Sequence, residues 1–141
     1  MAAASNPLTA LYLEANKNTF MNASLDAAIE AWPKYFSKKL VVTQNDKKMD
    51  YEGFLQQMKD AKTNWPVIDV RYKLLTESGR TVASAEYVWI PKETMWFDTI
   101  IIMTFGDEGT EDEKKVVTFL EIMQSGPKDR DPAAPEAQSI A

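Results

Sequence analysis

Residues 105–125 read FGDEGTEDEKKVVTFLEIMQS. Phe105 closes an apolar stretch, Gly106–Lys115 is an acidic turn, and Val116–Ser125 alternates as a strand does. On that strand Val117, Phe119, Glu121 and Met123 share one face, and Val116, Thr118, Leu120 and Ile122 share the other. A carboxyl between Phe119 and Met123 on an apolar face is costly to bury. It has to be paired, protonated or set in the wall of a cavity. Upstream, Thr94–Phe105 is apolar on both faces: Phe97, Thr99, Ile101 and Met103 against Trp96, Asp98, Ile100 and Ile102. A sheet with one wet face would alternate more cleanly, so the outer set needs a cover of its own. The expected cover is a second copy of the chain, giving a homodimer through the outer sheet face.

The strands before these follow the same period. Ile68, Val70, Tyr72 and Leu74 alternate with Asp69, Arg71 and Lys73; Ser78-Gly79 turns the chain into Thr81–Ile90, and Pro91–Glu93 turns it again. The N-terminal half has helical spacing instead. Asn6-Pro7 starts a helix with Leu8, Leu11, Tyr12, Ala15, Asn16, Thr19 and Phe20 on one face. Ser24 caps a second, with Leu25, Ala28, Ile29 and Trp32 inward, which Pro33 is expected to end. Leu40–Thr43 is a short strand and Asn45–Lys48 a polar turn. Asp50 caps a third helix with Tyr51, Phe54, Leu55, Met58, Ala61 and Trp65 on its face. Helices followed by hairpin strands imply an α+β domain, three N-terminal helices on a curved, mostly antiparallel sheet. The domain is expected over residues 1–126. Residues 127–141, rich in Pro and Asp with small residues, read as a disordered tail.

Composition narrows the chemistry. The 141 residues suffice for one domain. The net charge of −5 argues against a nucleic-acid surface. With no Cys and no His, thiol nucleophiles, thiolate metal sites, imidazole bases and Ser-His-Asp triads are excluded. No phosphate loop, dinucleotide fingerprint or metal cluster is present, so no cofactor is expected. Met1–Ser5 lacks a charged region and a long apolar run, and no stretch is long enough to span a membrane, so a cytoplasmic protein is expected.

The layout resembles the NTF2-like superfamily, and within it the SnoaL-like and ketosteroid-isomerase-like group, over residues 8–125. The carriers are Ala23–Trp32, Leu40–Phe54 and above all Phe105–Gln124. The resemblance implies a cone-shaped (cystatin-like) fold, commonly dimeric, that hosts cyclases, isomerases, dehydratases and non-catalytic modules. The group's own catalytic residues are replaced here. Val42, Thr43 and Gln44 stand where an Asp base would, Ile101 where an oxyanion Asp would, and Asn16 near where a Tyr donor would. The pairing of Asp with His seen in other members is impossible without His.

The same resemblance assigns an inner face. It comprises Phe119, Glu121 and Met123 on the last strand, Phe97, Thr99, Ile101 and Met103 before it, and Ala83, Ala85, Tyr87 and Trp89 before that. The helices add Tyr12, Asn16, Phe20, Trp32, Phe54, Leu55 and Met58. Glu121, with its carboxyl raised by desolvation, is the expected acid–base group, and Tyr87, Asn16 and Tyr12 the expected partners for a substrate oxygen. The implied activity is a cofactor-independent cyclase, isomerase or dehydratase on a hydrophobic polyketide- or terpenoid-like molecule. The alternative is a binding or assembly module without chemistry.

Overall fold

The computed structural model describes residues 6–125 and the backbone of 138–140. In chain order the elements are α1 (Pro7–Asn18), α2 (Leu25–Tyr35), β1 (Phe36–Gln44), β2 (Lys47–Asp50), α3 (Tyr51–Asn64), β3 (Asp69–Ser78), β4 (Thr81–Ile90), β5 (Met95–Phe105), β6 (Val116–Ser125) and β7 (Gln138–Ile140). The strands form one sheet in the order β2-β1-β6-β5-β4-β3-β7. The β3–β6 run is antiparallel, as the hairpin order requires. β1 instead lies parallel to β6, because the chain leaves β1 through β2 and α3, makes the meander, and returns beside it.

Local chemistry sets most boundaries. Ser24 Oγ accepts from the Ala27 amide at the start of α2, and Asp50 Oδ1 accepts from the Gly53 amide at the start of α3. Asn6 precedes Pro7 of α1 but makes no side-chain cap bond. Gly79, with φ 59°, sits in the two-residue turn between the paired Ser78 and Thr81. In the acidic turn Gly106 lies so close to Asp112 that a Cβ would approach its carbonyl oxygen to 2.3 Å. Arg80 holds that turn by donating to the carbonyl oxygens of Gly106 and Glu113.

Three expectations are corrected. α2 does not end at Trp32 but runs through Pro33 to Tyr35. Pro33 is exposed in the last turn, and the burial of Trp32 and Tyr35 outweighs the local preference. The 45–48 turn shrinks to Asn45 and Asp46, since Lys47 and Lys48 pair with β1. Asn45 takes the left-handed conformation, φ 51°, that Asn tolerates. Leu74 does not continue the inward set of β3: a bulge between Tyr72 and Leu74 puts Leu75 inside and leaves Leu74 exposed. Of the segment expected to be disordered, residues 127–137 and 141 lie outside the described residues. Gln138–Ile140 pair in parallel with β3.

The helices cover the concave face. Its aromatic centre has Trp32 stacked on Phe36 with centroids 4.1 Å apart, and Phe54 packed on Phe119 at 4.9 Å. Deleting a ring of this kind costs about 3–5 kcal/mol. On the convex face Val41, Ile100, Ile102, Leu120 and Ile122 remain exposed. Trp96, on that same face, is covered within the chain by the Tyr87 ring, 5.1 Å away.

Candidate functional site

A cavity of about 230 Å³ lies between the helices and the concave face. Its walls are apolar: Phe20, Phe54, Ala61 and Trp65 from the helical side, with Ile68, Val70, Val88, Ile90, Phe97, Ile101, Phe119 and Met123 from the sheet and its entry. Polar groups enter at Asn16, Gln44, Gln57, Glu86 and Glu121. Five strands supply the wall because the meander keeps one side of each strand turned to the helices.

Glu121 stands where the alternation of β6 puts it, in the wall beside Phe119 and Met123, with 8% of its surface exposed. Gln44 on the neighbouring parallel strand donates to its Oε1 at 2.6 Å. Burial raises the Glu121 carboxyl above the ordinary range, and the Gln44 bond pulls the other way. Gln44 and Gln57 exchange amide bonds of 3.1 and 2.7 Å, which fixes the orientation of the Gln44 donor. Asn16 also lines the cavity and donates to the Tyr72 hydroxyl at 2.9 Å.

A second carboxyl escaped the sequence reading. Glu86 on β4 is 2% exposed and faces the same cavity. Tyr12 and Ser84 both donate to its Oε2, Ser84 at 2.7 Å. Burial pushes the Glu86 carboxyl up to about 7; the two hydroxyl bonds oppose this and the nearby Glu121 charge adds to it. Burial, and then the Glu86 charge, push the Tyr12 hydroxyl well above its usual range, so it remains a donor.

The inner face of β4 is therefore Val82, Ser84, Glu86, Val88 and Ile90, and not Ala83, Ala85, Tyr87 and Trp89. Cross-strand pairing leaves no other choice: Glu86 opposes Thr99, and Val88 opposes Phe97. Tyr87 lies on the convex face, packed on Trp96 with the Lys73 ammonium 4.4 Å from its ring centre. It is not at the cavity, and neither is Trp89, which pairs with Trp96 across the strands. The signal that could have found Glu86 is the Val82, Ser84, Glu86, Val88, Ile90 alternation. Two polar members made it look like a wet face.

Of the other expected contacts, Phe20, Phe54, Phe97, Ile101, Phe119 and Met123 line the cavity as the inner-face assignment has them. Tyr12, Trp32, Met58 and Met103 are buried in the core behind the wall, and Leu55 packs against that core. Thr99 is buried on the inner face of β5, and its Oγ1 has no hydrogen-bond partner among the described residues. Among the described residues no group of His, Cys, Asp and Glu is arranged to hold a metal ion.

Comparison with solved structures adds the family context. AclR from Streptomyces galilaeus superposes with a TM-score of 0.65 at 16% identity, over 83% of this chain and 88% of that one. A SnoaL-like polyketide cyclase from Agrobacterium tumefaciens gives 0.62 at 11% identity, over 83% and 91%. A SnoaL-like protein of unknown function from Burkholderia thailandensis gives 0.62 at 10% identity, over 86% and 97%. The chain has the NTF2-like fold, in the form seen in SnoaL-like proteins. No family profile matches it, and no curated protein does. At these identities the NTF2-like likeness is one of architecture, so the chemistry has to be argued from the cavity itself.

Proposed function

We propose that this NTF2-like protein is a cofactor-independent cytoplasmic enzyme of the cyclase, isomerase or dehydratase type, acting on a hydrophobic polyketide- or terpenoid-like small molecule. The observation that supports this is a buried, desolvated carboxyl, Glu121, set in the wall of an apolar cavity. A carboxyl raised toward neutrality can take and return a proton at working pH. Asn16 is the amide placed to bind a substrate oxygen, and the aromatic walls hold the substrate in one shape, which removes part of the entropic barrier. Several SnoaL-like neighbours of the fold are described as polyketide cyclases, which agrees with a substrate of this class.

The experiment is proton exchange. Small cyclic and aryl ketones in D2O should gain deuterium next to the carbonyl faster with the protein than in buffer, followed by NMR. Glu121→Gln should lower that rate by about a hundredfold or more while the protein still binds the ketone. Unchanged exchange in Glu121→Gln would remove Glu121 from the chemistry. Ketone binding with no exchange would favour the second reading, a binding module. The closed Gln44–Gln57–Glu121 and Tyr12–Ser84–Glu86 networks are compatible with that reading, since each also works as a rigid wall.

The convex face belongs to the same proposal. Val41, Ile100, Ile102, Leu120 and Ile122 are exposed on three neighbouring strands, with Ile100 opposite Ile122 and Ile102 opposite Leu120. We assign a second copy of the chain as its cover, because a sheet face of one kind is complementary to itself. Sedimentation at micromolar concentration should give a dimer, and Ile100→Lys with Ile122→Lys a folded monomer. A monomeric parent protein would end this assignment.

A further inference from the structure

Among the described residues the cavity has two carboxyls and no cation in its lining, Glu86 and Glu121 being its charged members. Two lysines of the surrounding elements are committed elsewhere. Lys62 spends its ammonium on the carbonyl oxygens of Phe20 and Pro66, at 2.9 and 3.1 Å. Lys73 pairs with Asp98 at 2.9 Å on the convex side of the sheet.

The donors that bond the two carboxyls are already engaged. Gln44 Nε2 serves both Gln57 and Glu121, and the Tyr12 and Ser84 hydroxyls both serve one oxygen of Glu86. The other Glu86 oxygen is left to the cavity. Thr99, directly across from Glu86 on the inner face of β5, is 2% exposed and its hydroxyl is unpartnered among the described residues. A buried polar group left so carries a desolvation cost, which a ligand atom or water would recover.

The dimensions fit a span. Glu86 and Glu121 stand on the two strands that flank β5, opposite Thr99 and Ile101, so two strand spacings and a two-residue stagger separate their backbones by roughly 12 Å. Aromatic rings line it from both sides, with Phe20 and Phe54 of the helical side at 5.6 Å and Phe54 and Phe119 of β6 at 4.9 Å between centroids. Rings of this kind favour a cation over their faces. The volume of about 230 Å³ falls below the ~300–1,000 Å³ of drug-sized sites, so it admits one or two rings.

We propose that the ligand of this cavity is a small hydrophobic amine, bound as its ammonium between Glu86 and Glu121, and that carboxylate-bearing molecules are excluded. This rests on the cavity being a ligand site, as in the proposed function, and adds a requirement that reading did not carry: the ligand has one or two rings and a basic nitrogen, so among polyketide- or terpenoid-like molecules only those bearing an amine would fit. An ammonium supplies the positive charge the described wall lacks and compensates the two carboxyls. A carboxylate would bring a third negative charge into a water-poor space without a cationic partner.

The test is calorimetric titration at pH 8 with three probes of one size: 2-phenylethylamine, 2-phenylethanol and phenylacetate. The amine should bind at least about tenfold more tightly than the alcohol, and phenylacetate should give no measurable heat of binding. Glu121→Gln and Glu86→Gln, tested separately so that one folding failure does not end the test, should each erase the preference for the amine while keeping the alcohol. Equal binding of amine and alcohol, or any binding of phenylacetate at this site, overturns the charge selection and leaves the proposed function intact. Binding of none of the three overturns the amine proposal, and the proposed function falls with it only if the ketones of the exchange experiment also fail to bind.

Discussion

Glu86 on β4 and Glu121 on β6 face one cavity from the two sides of β5, yet they sit in different ground. Glu121 is nearer the rim, and it accepts from a side-chain amide of the next strand. Glu86 is deeper, and its partners are two hydroxyls, one from α1 and one from its own strand. Both carboxyls are raised by burial, and Glu86 also feels the charge of Glu121. Two like groups whose surroundings differ divide the acid and base states between them.

The two also differ in how they could be read. β6 carries its carboxyl between Phe119 and Met123, so its face is visible from its own residues. β4 carries its carboxyl opposite a face bearing Tyr87 and Trp89, and aromatic residues ordinarily mark the inside. The deciding feature lies on another strand. The bulge between Tyr72 and Leu74 changes the inward set of β3 from Ile68, Val70 and Tyr72 to Leu75 and Glu77. Through the tight Gly79 turn this puts Val82, Ser84 and Glu86 inside. Without the extra residue, the same turn would put Ala83, Ala85 and Tyr87 there.

The sharpest break of this comparison is a charge placed on either side of β4. Val82→Asp, at a residue 1% exposed, should cost at least about 3 kcal/mol in a urea melt, whereas Ala83→Asp should cost no more than about 1 kcal/mol. The reverse order would restore the aromatic face as the inner one.

Next comes the pH dependence of stability. The Glu86 carboxyl is raised in the folded state to about 7 from an ordinary 4.5, so the folded protein binds the extra proton between those values. Its contribution is fully present below pH 4.5 and is lost as pH rises through 7, a fall of about 3 kcal/mol. Glu86→Gln should flatten that slope and melt higher than the parent at pH 8. Glu121→Gln should leave most of it in place. A parent melting temperature that rises from pH 5 to pH 8 would contradict the environment assigned to Glu86.

The smallest effect belongs to the rim. Gln44→Ala removes the donor to Glu121 and should cost about 1 kcal/mol, while raising the Glu121 carboxyl further. NMR titration of the carboxyl carbon would follow it. No change would mean that solvent, and not Gln44, satisfies Glu121.

The residues alone carried the three helices and the strands β1 and β3 to β6 in their order, the caps at Ser24 and Asp50, the two faces of β5 and β6, and the placing of Glu121, but not β2 or β7. Each of these follows from a period or a bond within a few residues. What only the tertiary structure decided was the extension of α2 through Pro33, the pairing of β1 with β6, and the inward turn of Glu86. Burial of Trp32 and Tyr35 overrides a local proline preference, and strand pairing joins residues far apart in the chain. A single bulged residue on β3 exchanges the faces of the strand that follows, and it lies outside β4 itself.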